Sequence, residues 1–145
     1  MLSTRGRYGL QAMFRLAQQA DTKPKPLKEI AEAEGLPEAY LEQLMAPLRK
    51  AGLVRSVRGP QGGYTLAKRP HEIRVWDVVA ALEGEPHFAQ CDAPADPEHE
   101  AVCLDHLLWR EVDEELRRLL QAVTLRDLVE RAEMRRAAIH PIYYI

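Results

Sequence analysis

Three side chains in the first half of the chain have the hydrogen-bonding geometry to read base edges. Gln43 carries an amide that pairs bidentately with adenine, and Glu42 a carboxylate that accepts from the cytosine amino group. Arg58, set just before a glycine-rich turn, has a guanidinium suited to a narrow minor groove. Glu38, Ala39 and Tyr40 lie one helical turn ahead of Glu42 and Gln43. A glutamate in a groove also repels phosphate, so Glu42 discriminates against wrong bases more than it adds affinity. Arg5, Arg7, Lys28, Arg49, Arg55 and Lys68 are the residues for phosphate contacts. The competing reading is that these charges form the solvated face of a helical domain, or of a winged module that binds protein.

The elements that must position these residues can be read from periodicity. Leu10, Met13, Phe14 and Ala17 predict a helix over Thr4–Gln19. Pro24 and Pro26 break it, and Leu27, Ile30 and Ala31 predict a short second helix stopped by Gly35. Pro37 sits at the first turn of a third helix with Leu41, Leu44, Met45 and Leu48 on one stripe, ended by Gly52. Pro47 is expected to distort its last turn. Leu53–Arg58 and Tyr64–Leu66 read as strands joined across Gly59–Gly63, and Val75–Leu82 as another short helix. Helix, helix, Gly-containing turn, helix and hairpin is the order of a winged helix-turn-helix, whose second motif helix enters the major groove. The fold class expected is therefore mainly α with a small β-hairpin wing and a long C-terminal helix.

Between Glu83 and Val102 periodicity stops, and a loop this long is usually functional or disordered. Cys103–Val123 then reads as one long helix with Leu104, Leu108, Val112, Leu116, Leu119 and Val123 in a stripe. That stripe would pack on the first helix or, the reading preferred here, on the same helix of a second subunit. Thr124 caps a last short helix over Leu125–Ala132, and nothing is assigned beyond Arg135. The organisation expected is a winged helix-turn-helix over 1–82, a sensor loop over 83–102, dimerisation helices over 103–134 and a tail over 135–145.

The 145-residue chain has a net charge of −2, which conceals a division. Residues 1–75 hold 13 Lys and Arg against 7 acids, and residues 76–145 hold 7 Arg against 15 acids. A basic half joined to an acidic half suggests a polyanion-binding part and a separate part. No apolar run is long enough to span a bilayer, and Arg5, Arg7 and Arg15 interrupt any signal-peptide layout, so no membrane partner is expected. A cytoplasmic location is expected, with reduced thiols. No phosphate loop, nucleophile elbow or acid–base pair is present, so an enzyme is not expected.

Three stretches carry a specific resemblance: Thr4-Arg5-Gly6-Arg7-Tyr8-Gly9, Tyr40-Leu41-Glu42-Gln43-Leu44 followed by Leu48-Arg49-Lys50-Ala51-Gly52-Leu53-Val54, and Ser56-Val57-Arg58-Gly59-Pro60-Gln61-Gly62-Gly63-Tyr64. The chain closely resembles the IscR family of bacterial transcription regulators, which also contains the nitric-oxide sensor NsrR and the cysteine regulator CymR. The resemblance covers residues 1–85 and, more loosely, extends to about residue 132. It implies a homodimer paired through the long C-terminal helix and bound to a pseudo-palindromic double-stranded DNA operator. It further implies that Glu42 tunes which site class is accepted, that Gln43 reads bases and that Arg58 is the wing arginine. Many members hold an iron–sulfur cluster, usually 2Fe-2S, in the loop before the dimer helix.

The ligand pattern implied by the resemblance is Cys-x5-Cys-x5-Cys-x2-His. Cys91, Cys103 and His106 fall on its outer cysteines and its histidine, while Pro97 occupies the middle cysteine position. Thiolate suits iron–sulfur clusters, and imidazole replaces thiolate on one iron in Rieske centres. Cys103 and His106, three apart at a helix start, are expected to face the same way. Asp92, Asp96, Glu98 and His99 are sources of a fourth ligand; Arg7 and Gln11, where some relatives donate one from the partner's first helix, are not. Zinc fits the same donors, and the remaining reading is no metal, with Cys91 and Cys103 a redox-reactive pair or remnants. His71, His87 and His140 read as surface residues, and Trp76 and Trp109 as core or interface.

The function expected is a DNA-binding regulator, most simply a repressor, whose operator affinity follows a cluster or thiol state in the 83–106 loop. Its alternatives are a cofactor-free regulator answering a protein or small molecule, and an iron–sulfur assembly accessory protein that does not bind DNA. Iron–sulfur assembly proteins are possible partners in the first reading too.

Overall fold

The computed structural model describes residues 2–19, 23–88, 97–98 and 103–140. Its elements run α1 (Thr4–Gln18), α2 (Leu27–Glu34), α3 (Glu38–Lys50), β1 (Val54–Val57), β2 (Gly63–Leu66), α4 (Val75–Glu83), α5 (Arg110–Ala122) and α6 (Leu125–Ile139). Ser3 starts α1 by accepting the Gly6 amide on its hydroxyl at 3.3 Å, which satisfies one of the unpaired donors of the first turn. The buried face of α1 includes Gly6 and Gly9. Their missing side chains let α4 lie close: a Cβ on Gly9 would stand 2.1 Å from a methyl of Leu82. Gly35, at φ 67°, ends α2 in the left-handed conformation and turns the chain toward α3.

The stripe predicted on α3 is its buried face. Leu41, Leu44, Met45 and Leu48 join Met13 and Leu16 of α1, Ile30 of α2 and Val78 and Leu82 of α4 in one core. Pro47 does not end the helix, which continues to Lys50. The Ala51 amide still bonds the Pro47 carbonyl at 3.0 Å. What Pro47 removes is the amide that would have served the Gln43 carbonyl.

The wing is a two-stranded antiparallel hairpin in the register Val54↔Leu66 to Val57↔Gly63. It is shorter than the alternation predicted. The Leu53 amide still bonds the Leu48 carbonyl at 3.0 Å, and Arg58 belongs to the tip. The segment before α2 adds a rung: the Lys25 amide donates to the Tyr64 carbonyl at 2.9 Å, and the Lys25 carbonyl accepts the Tyr64 amide at 2.7 Å. That approach needs Gly63, where a Cβ would stand 2.0 Å from the Lys25 carbonyl oxygen at φ 148°.

The C-terminal region departs from expectation at both ends. The helix predicted over Cys103–Val123 opens as a π-helical stretch, Asp105–Trp109, before continuing as α5. The Cys103 carbonyl accepts both the His106 amide at 3.0 Å and the Leu107 amide at 3.2 Å. α6 runs to Ile139, past the predicted Ala132. The added turns hold Glu133, Met134, Arg135, Arg136, Ala137 and Ala138, good helix formers that carry no apolar period. Thr124 caps α6 as predicted: its amide reaches Asp127 at 2.9 Å, and the Asp127 amide returns to its hydroxyl at 3.1 Å. The Thr124 amide and then its hydroxyl hold the Asp127 carboxyl below its usual range.

The C-terminal half is not a separate body. The Val75 amide bonds the Val123 carbonyl and the Leu125 amide the Ile73 carbonyl, each at 2.9 Å, and Leu125 is fully buried in the winged-helix core. α5 packs on α4. Leu108 is 43% and Leu119 60% exposed, and with Val112 and Leu116 they line an open apolar groove. Among the described residues, no helix is long and apolar enough to cross a membrane.

The Gly63–Lys25 approach can be tested directly. Gly63→Ala is expected to cost about 1–3 kcal/mol in denaturant unfolding and to strip hydrogen-exchange protection from the Tyr64 amide. An unchanged unfolding midpoint would contradict the close approach.

Candidate nucleic-acid interface

With the apolar face of α3 buried, helical geometry turns the opposite face outward. Glu38, Ala39, Glu42 and Gln43 are all exposed on it. Tyr40 is half-buried, its ring set edge-on to Tyr8 of α1 with centroids 6.2 Å apart. It therefore fixes the start of α3 against α1 as well as bordering the outward face. Arg58 stands exposed at the wing tip, where the Gly62 amide closes the turn on the Gly59 carbonyl at 2.9 Å.

The basic residues assigned to phosphate are also exposed: Arg5 and Arg7 at the start of α1, Lys28 on α2, Arg49 on α3, Arg55 on β1 and Lys68 after β2. Among the described residues, none of these six joins an ion pair, so their charge is not neutralised within the chain. Arg15 differs, because its guanidinium is held by Glu34 at 2.5 Å. The basic first half thus keeps its phosphate candidates unspent, while α5 opens with Glu111, Asp113, Glu114 and Glu115.

Cys91 and the fourth-ligand candidates Asp92, Asp96 and His99 lie outside the described residues. Cys103 is 7% exposed and disulfide-bonded, whereas His106 is exposed. Among the described residues no three His, Cys, Asp or Glu side chains come together as a metal site. By its chemistry the donor set fits three of the four positions a 2Fe-2S cluster needs, and Pro97 has no donor to give.

Sequence reasoning missed the residues that hold the loop's first limb, residues 84–88. Asp113 of α5 accepts the Phe88 amide at 2.6 Å and meets His87 Nδ1 at 3.3 Å. Arg117 pairs with Glu85 at 3.1 Å, and its guanidinium lies 4.9 Å from the Trp76 ring centroid. Phe88 stacks on Trp109 with centroids 4.9 Å apart. Trp76 and Trp109 therefore serve packing, as expected, and His87 has a specific partner. No local pattern announces Asp113, which is one acid among several on its helix.

Comparison with known proteins decides the family. A profile described as Rrf2, an iron-dependent transcriptional regulator, matches residues 2–131. The chain belongs to the Rrf2 family. It is 41% identical over 133 residues to the HTH-type transcriptional regulator IscR of Klebsiella pneumoniae (strain 342), covering 92% of this chain and 82% of the relative. Among solved structures, T. potens IscR superposes with a TM-score of 0.77 at 41% identity, covering 100% of this chain and 93% of that one. CymR, the global cysteine regulator of B. subtilis, superposes with a TM-score of 0.74 at 39% identity, covering 90% of this chain and 97% of that one. As an Rrf2 member the chain is an IscR-type, DNA-binding transcriptional regulator and not an enzyme, and the winged-helix fold read from its periodicity is the fold of its relatives.

Proposed function

We propose that this Rrf2 protein works as a homodimer on a two-fold-symmetric operator, its affinity set by the chemical state of Cys91 and Cys103. The observation that carries this reading is the exposed polar face of α3 standing beside unpaired basic residues and a free wing arginine. Gln43 and Glu42 read base edges in the major groove, and Glu38, Ala39 and Tyr40 border them. Arg58 enters the minor groove, and Arg5, Lys28 and Arg49 meet phosphate. The uncovered stripe of α5 is the surface for the second subunit, since exposed apolar patches of this kind mark interaction sites.

The state that is sensed has two chemical forms. Cys91, Cys103 and His106 would hold an iron–sulfur cluster if a fourth donor completed the set, and such a cluster responds to iron supply and oxidants. Alternatively, the two thiols form a disulfide by giving up two electrons and two protons to an oxidant. The disulfide at Cys103 and the proline at position 97 favour the thiol form. Zinc suits the same three donors and, like the cluster, would need a fourth.

On a duplex enriched by the protein from a randomised pool, Arg58→Ala is expected to weaken binding and lower the log–log salt slope by roughly one. Gln43→Ala should cost about 1–3 kcal/mol on that duplex and little on random DNA. Loss on both DNAs alike would remove the base-reading role. For the loop, protein purified without oxygen is expected to lose operator affinity severalfold or more between its reduced and oxidised states. Cys91→Ala with Cys103→Ala should abolish the difference. Iron and sulfide analysis with a visible spectrum, in wild type and Cys103→Ala, separates a cluster from a thiol pair. Equal affinity in all states would end the switching proposal and leave the DNA reading intact.

A further inference from the structure

One carboxylate links the loop to the reading face, and no local sequence feature marks it. Glu83 is the last residue of α4 and stands where the loop begins. Its Oε1 accepts the Ser3 amide at 2.7 Å, the Gly6 amide at 3.2 Å and the Ser3 hydroxyl. These are donors of the first turn of α1, which the helix itself leaves unpaired. The negative charge also suits a helix N-terminus. Gly6 is required for the contact, because a Cβ there would stand 2.6 Å from Glu83 Oε1.

The contact joins two polar ends. On one side, the turn that Glu83 caps carries Arg5 and Arg7, and Tyr8 follows at once with its ring against Tyr40 in the first turn of α3. On the other, the limb leaving Glu83 is tied to the head of the dimer helix through Glu85–Arg117, Phe88–Asp113 and Phe88–Trp109. Trp109 closes the π-helical stretch that follows Cys103. Beneath the limb is an apolar cavity of about 330 Å³ lined by Leu10, Val79, Leu116 and Leu120 among others, so polar anchors rather than dense packing hold the limb.

We infer that Glu83 is a positioning residue for DNA binding. It fixes the start of α1, and with it Arg5, Arg7 and the Tyr8–Tyr40 contact, in the register that presents α3 to the major groove. A displacement of the loop limb is felt at the reading face through this carboxylate.

The experiment titrates full-length wild type, Glu83→Ala and Glu83→Gln against a duplex enriched by the wild type from a randomised pool, at several salt concentrations. Circular dichroism and sedimentation check fold and dimer. Glu83→Ala is expected to weaken binding about tenfold and to lower the salt slope by roughly one to two, as phosphate contacts at Arg5 and Arg7 are lost. Glu83→Gln keeps the acceptor oxygen and should stay within threefold of wild type. A merely unfolded variant would lower the active fraction and leave the slope unchanged. Wild-type affinity in a folded Glu83→Ala dimer, a loss confined to the active fraction, or a Gln variant as weak as Ala would each overturn the inference. The inference rests on Arg5 and Arg7 meeting phosphate, so Arg5→Ala and Arg7→Ala are titrated alongside. If neither changes the slope, the phosphate assignment fails, and Glu83 is judged on the affinity of its folded dimer.

Discussion

The complete burial of one face of α3 is the constraint on which the rest of the structure depends. Leu41, Leu44, Met45 and Leu48 are each at most 1% exposed. A helix held by four such contacts cannot rotate without opening cavities, each worth several kcal/mol at a Leu or Met site by the usual cost of emptying a core. Glu38, Ala39, Glu42 and Gln43 are therefore directed outward by the core and not by their own chemistry. The wing follows from the same constraint, because β1 leaves directly from the end of α3 and β2 is pinned to Lys25. The proposed reading surface is thus one rigid arrangement of helix and hairpin.

The division of charge along the sequence becomes a division in space with a physical seam. The basic half supplies exposed residues around α3 and the wing, and the acids of α5 lie beyond α4. The seam is nevertheless stitched tightly. Leu125 sits in the winged-helix core, two backbone hydrogen bonds join residues 73–75 to residues 123–125, and Glu83 ties the end of α4 to the start of α1. Movement of α5 would therefore be transmitted to the reading head and not absorbed in a linker. The exposed stripe of α5 is a large apolar surface that this arrangement leaves without a cover.

Most of the winged helix was legible in the sequence because its elements are short and strongly periodic. The α3 stripe, the Gly35 stop and the Thr124 cap each rest on local chemistry, and each stands where that chemistry places it. The outward positions of Gln43 and Arg58 followed from the same periodicity. What escaped depends on distant parts of the chain. Glu83 meets Ser3 eighty positions away, and Asp113 meets Phe88 twenty-five away. No pattern within a window of a dozen residues encodes either contact. The π-helical stretch is a backbone choice that side-chain periodicity does not register. The α6 extension to Ile139 lacks an apolar stripe and was invisible for that reason.

The proposed function sets two α3 helices of a symmetric dimer on one operator. Selection of duplexes from a randomised pool, followed by sequencing, tests this most directly. The expected result is enrichment of a two-fold-symmetric sequence, its half-sites about one helical turn or a multiple apart as dimer geometry demands. Enrichment of an asymmetric single half-site, or none above input, would contradict it.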